Sequence, residues 1–188
     1  MEYEHIKGLK ELHEALKQLP QNIARNVLRG AVGAGAALVR DEAKRKAPVY
    51  TGTPAMGHPP RGTLKRAIYI KQIRERSSQF KQVFFVGVRK GKRYQKQGKH
   101  GNRSQDAYYA SWVEFGHYYA PTGKHGFGSR RAAMNAVALN GGGIGGAKFI
   151  APHPYMRPAW ESQKRAAVQR ISAYMAERIP REITKARR

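Results

Sequence analysis

Residues 107–117 read AYYASWVEFGH, a run in which one acid, Glu114, stands among the large apolar side chains of Tyr109, Trp112, Val113 and Phe115. That density of apolar residues predicts a largely buried segment closed by a turn at Gly116. A carboxylate taken out of water with such neighbours needs a compensating charge, because a single unpaired buried ion costs several kcal/mol. The best-placed cation is Arg157 in PYMRPAWE, residues 154–161, where two prolines flank aromatic and methionine side chains. The sequence therefore predicts that these two distant stretches meet. Trp112, Glu114, Phe115, Tyr155, Arg157 and Trp160 are the expected structural anchor.

The rest of the chain can be placed around that anchor. Leu9, Leu12, Leu16 and Leu19 recur at helical spacing over residues 6–19, a short amphipathic helix or edge element that Pro20 stops. Pro20 also suits the first turn of a second helix, running to about Lys46, with Ile23, Val27, Leu28, Ala31, Leu38 and Val39 on its apolar side. Its middle, GAVGAGAALV, gives up roughly 1 kcal/mol of helix propensity at each glycine. Small side chains there suit close packing, in the core or against a neighbouring subunit. Pro48 and TGTP end the helix, and residues 51–62 read as an exposed loop. Residues 64–73 and 82–88 have strand composition, and 74–80 make a polar hairpin connection, so an antiparallel pair is expected.

Charge sets the choice of partner. Lys and Arg number 36 against 12 Asp and Glu, a formal charge of +24 that repels itself unless the chain meets nucleic acid, an anionic membrane or an acidic protein. Residues 89–103 concentrate it in Arg89, Lys90, Lys92, Arg93, Lys96, Lys99 and Arg103 with no acid between them. This run predicts a flexible basic loop over 89–106, facing either an acidic protein surface or DNA phosphates. Tyr94 is its one aromatic, so base stacking is not supported. There is no cysteine, which excludes disulfides and thiolate chemistry. No run approaches membrane-spanning length and the first residues lack a signal-peptide core, so the expectation is a soluble protein made in the cytosol, with no membrane partner.

Residues 118–149, including GGGIGG, have the composition of an extended Gly-rich arm. A final helix is expected from Pro158, with Trp160, Ala167, Val168, Ile171, Met175 and Ile179 on its apolar face. Pro180 should end or kink it, leaving a solvated basic tail.

Enzymatic chemistry finds no footing. PTGKHG at residues 121–126 lacks the earlier Gly of a phosphate loop and has His125 where Ser or Thr is required. Glu114, His117, His125, His100 and His153 have no metal-ligand spacing, and Glu114 has no partner acid, base or nucleophile in its motif. No enzyme, metal or cofactor is expected.

AKRKAPVYTG at residues 43–52, YASWVEFG and PYMRPAWE, with the GLKELHEALKQLP opening, occur in the order found in phage tail-completion and head-tail joining proteins. The chain resembles the HK97 gene-ten-like family, loosely related to the lambda Z minor tail protein. It departs from the family between Gly52 and Leu64, where about ten extra residues stand. The resemblance implies a single α+β domain over 1–188, long N-terminal and C-terminal helices packed on a small antiparallel sheet. It also implies a structural virion protein forming a ring, expected as a hexamer, at the head-proximal end of the tail. The implied partners are itself, the tail terminator or tail tube protein and the head-tail connector proteins. Non-specific contact with genomic DNA and a place at the virion neck after assembly in the host cytoplasm also follow from it. The alternative from another class is a free basic nucleic-acid-binding protein of packaging or regulation, against which stands the lack of a helix-turn-helix, zinc or RNA-binding signature.

Overall fold

In the computed structural model the described residues are 11, 13, 14, 17, 21–51, 59–91, 94, 106–119 and 148–186. Of the expected first helix, Glu11, His13, Glu14 and Lys17 are helical and the rest lies outside this set. The long helix α1 spans Gln21–Lys46, as its apolar period predicts. A single turn, α2 (Thr63–Ala67), leads directly into β1 (Ile68–Gln72), and β2 (Phe84–Val88) returns antiparallel in the register Ile68↔Val88 to Gln72↔Phe84. Helix α3 (Ala110–Phe115) follows, then β3 (His117–Tyr119), which pairs antiparallel with β4 (Lys148–Ile150). The last element is α4 (Met156–Ala186). Among the described residues, two long helices with two small antiparallel sheets make an α+β fold.

Helices α1 and α4 pack antiparallel. Ala24, Val27 and Ala31 bury against Met175 and Ile179, while Gly35, further along α1, meets Ala167 and Ile171 earlier on α4. The small-residue stretch thus serves contacts within the chain. A Cβ on Gly35 would stand 2.8 Å from Ile171 Cγ1 and 2.9 Å from the Ala167 carbonyl oxygen, so backbone limits the approach. On Gly30 it would meet only the end of the Tyr174 side chain, which can rotate away. Gly35→Ala should therefore destabilise by about 1–3 kcal/mol despite its better helix propensity, whereas Gly30→Ala should be neutral or gain up to about 1 kcal/mol. Paired thermal melts check the contrast; equal effects at the two sites would refute it.

Three boundaries differ from expectation. Residues 64–67 are helical rather than strand, because Thr63, Leu64 and Ala67 turn one side into the core and the Thr63 hydroxyl donates to the Pro60 carbonyl at 2.6 Å. The C-terminal helix begins at Met156 and passes through Pro180, whose ring sits beside an exposed turn where water can satisfy the freed Ala176 carbonyl. It packs chiefly on α1 rather than on the sheet. The supposed Gly-rich arm has paired ends, β3 and β4, and residues 120–147 between them lie outside the described set. So do residues 92, 93 and 95–105 of the basic loop, whose base is closed by the Gly91 N–H donating to Asp106 Oδ1 at 2.7 Å.

Candidate functional site

Helix α3 is short, and its period sorts the aromatic stretch into two sides. Ala107, Ala110 and Glu114 turn inward, while Tyr108, Trp112 and Phe115 face outward. The expectation that Trp112 and Phe115 are buried is overturned: they are 39% and 64% exposed. A dense run of apolar residues cannot all be buried once it coils, since successive side chains leave the helix about 100° apart.

The inward acid is 8% exposed and does join the two motifs, though through other atoms than those expected. Glu114 Oε2 accepts from the backbone N–H groups of Tyr155 at 2.8 Å and Met156 at 2.9 Å, and Oε1 from that of Arg157 at 3.0 Å. These are donors at the start of α4, which have no partner within the helix, and the carboxylate also complements the positive end of the helix dipole. The Arg157 guanidinium instead lies over the Phe115 ring, 5.9 Å from its centre, on the exposed side. A further bond, from the His153 N–H to the Val113 carbonyl at 2.8 Å, fixes the approach.

Beneath this junction Tyr155, 1% exposed, fills the centre of a core of Ala43, Ala47, Leu64, Ala67, Ile68, Ala107, Ala110 and Ala159. Burial pushes its hydroxyl pKa well up, and the nearby Glu114 carboxylate adds to the shift. Tyr109 is also raised, mainly by burial, against the opposing hydrogen bond to the Leu64 backbone. Trp160, expected on the apolar face of its helix, is 53% exposed, since the one inward position of that turn is taken by Ala159.

What remains outside is a contiguous aromatic face on a rigid mount. Tyr108 meets Trp112 edge-on at 5.8 Å, and Trp112 stacks on His117 at 5.3 Å. Gly116, at φ 75°, brings the chain against the Phe149 ring and the Ile150 carbonyl, and both of those residues are exposed. A shallow cleft of about 420 Å³ lies alongside, lined by Val88, Ser111, Glu114, Phe115, Met156 and Arg157 among others. Of the basic candidates, Arg89 lies over the Tyr69 ring at 4.9 Å and Lys90 is exposed; Lys92, Arg93, Lys96, Lys99 and Arg103 lie outside the described residues. Among the described residues no group of His, Asp and Glu could hold a metal ion, and no helix is long and apolar enough to cross a membrane.

The model of the bacteriophage HK97 gp10-like tail-component family matches residues 10–116, more than half of the chain. The chain belongs to the HK97 gp10-like family of phage tail components. No curated protein and no solved structure matches it. The matched region of this tail component takes in α1, the β1–β2 hairpin and α3, and ends at the Gly116 turn. Glu114 thus lies inside the matched region, while the helix start that it caps lies beyond it.

Sequence reasoning missed the capping role of Glu114, and it placed Tyr155 in the anchor without separating it from Trp112, Phe115 and Trp160, which are exposed. Local capping boxes have a fixed spacing that can be read. A carboxylate reaching a helix start forty-one residues away has no such spacing. The flanking prolines of PYMRPAWE, which mark a helix start, were the available signal.

Proposed function

We propose that this tail component is a structural, non-enzymatic subunit of a ring at the head-proximal end of the tail, completing the tail and joining it to the head. The observation that carries the reading is the exposed aromatic face of Tyr108, Trp112 and Phe115, continued by Phe149 and set on a helix locked to α4. Grouped aromatics of this kind mark contact surfaces, because Trp and Tyr supply large apolar area at low entropic cost. In this reading the face meets a neighbouring copy in a hexameric ring or the adjoining tail terminator, tail tube or connector protein.

The double change Trp112→Ser and Phe115→Ser tests it. Both rings are largely outside the core, so cooperative unfolding should persist with a loss of about 2 kcal/mol. Complementation of a gene deletion should yield few joined particles and unjoined heads and tails by negative-stain imaging. Normal yields of joined virions from a stably expressed variant would rule the reading out. A protein that stays monomeric, is absent from virions and binds DNA tightly would favour the free nucleic-acid-binding alternative.

A further inference from the structure

The helices pair part of their charge within themselves, although Arg25, Arg29, Arg165 and Arg170 stand exposed on them. Arg40 pairs with Asp41, Arg45 and Lys46 with Glu42, Lys164 with Glu161, Arg178 with Glu182, and Arg181 with Glu177. The β1–β2 hairpin does the opposite. Lys71, Arg74, Arg76 and Lys81 stand exposed at its far end with Glu75 as the one acid there, and no ion pair forms among the described residues of that turn.

Those cations are held on a firm mount. The Ile73 N–H donates to the Val83 carbonyl at 2.8 Å and the Ser78 N–H to the Lys81 carbonyl at 2.6 Å. The Ser77 hydroxyl donates to the Ile73 carbonyl and accepts from the Val83 N–H, and Gln72 and Gln82 bond across the strands at 2.6 Å. Helix α1 packs against this sheet, with the Phe84 ring lying near Gly33. Lys71 and Phe85 are opposite partners in the register and both are exposed.

We propose that the tip of this hairpin is a binding site for the phosphate backbone of double-stranded DNA, independent of base sequence. A two-stranded ribbon fits the width of the major groove, and the hydrogen-bonded backbone that carries these cations is ordered before any contact with phosphates. The surroundings favour phosphate over an acidic protein. Protein interfaces deplete lysine and centre on apolar residues, whereas here Ser77, Ser78 and Gln79 lie among the charges, and the exposed aromatics beside them are Phe80, whose ring meets His13 edge-on, and Phe85 opposite Lys71. The proposal does not depend on the ring, since it concerns the isolated chain.

The test is fluorescence anisotropy of the purified full-length protein with a short labelled duplex, titrated between about 50 and about 200 mM NaCl. Changing Lys71, Arg74, Arg76 and Lys81 together to Gln should flatten the slope of log K against log salt by about three to four and weaken binding roughly 100-fold or more near 0.1 M. Arg74→Gln with Arg76→Gln alone should give about half of that slope change. Removing four exposed charges from the helices, by Arg25, Arg29, Arg165 and Arg170→Gln, should change the slope by less than about one. Equal losses from the hairpin and helix variants would reduce the effect to bulk charge and overturn the site. So would poly-glutamate binding more tightly than the duplex at matched charge and losing that advantage in the hairpin variant, which would make the hairpin a seat for an acidic protein.

Discussion

Glu114→Ala is expected to lower the unfolding free energy by about 3–5 kcal/mol, a fall in melting temperature of roughly 10 °C for a chain of this size. Three N–H donors at the start of α4 lose their acceptor at once, and each buried unsatisfied donor costs about 1–3 kcal/mol. The total stays below three full penalties because the adjoining cleft is open and water can reach part of the junction. Glu114→Gln keeps the shape but turns an amide NH₂ towards donors, and should cost about 2–3 kcal/mol. Arg157→Ala should cost less than about 1 kcal/mol, since its guanidinium contributes one exposed contact with the Phe115 ring. A double-mutant cycle between Glu114 and Arg157 separates this account from a buried ion pair. Capping through the backbone predicts near-additive changes, and a coupling above about 2 kcal/mol would restore the ion pair.

Tyr155→Ala should cost about 3–5 kcal/mol, comparable to losing a buried Phe or Trp. Its ring is 1% exposed and is surrounded mostly by alanines, which are too small to collapse into the space it would leave. Tyr155→Phe, keeping the ring, should cost no more than about 1.5 kcal/mol. Trp112→Ala removes a ring 39% exposed that touches Tyr108 and His117 at the surface, and should cost about 1–2 kcal/mol. Chemical denaturation of the three variants ranks them. A larger loss at Trp112 than at Tyr155 would return the core to the aromatic stretch and contradict the packing described here.

The sequence by itself determined the long helices, the antiparallel pair, the meeting of YASWVEFG with PYMRPAWE and the family. Periodic apolar residues, β-branched runs and proline or glycine stops act within a few residues, so they can be read along the chain. The small residues of α1 were likewise legible as a close-packing surface. What they pack against was not, since Gly35 meets Ala167 and Ile171 only when α4 folds back antiparallel.

The tertiary structure alone decided which aromatics are inside. Composition gives Trp112, Phe115, Tyr155 and Trp160 equal claims to the core, and only the orientation of α3 and α4 buries Tyr155 and leaves the others exposed. It also decided how Glu114 is satisfied. Charge counting pointed to a side-chain cation, but every helix start offers backbone N–H groups whose location depends on where the helix lies in space. A guanidinium on a long side chain can stay in water over the Phe115 ring, whereas the N–H groups of Tyr155, Met156 and Arg157 cannot leave the junction. The buried carboxylate therefore goes to the donors that have no other acceptor.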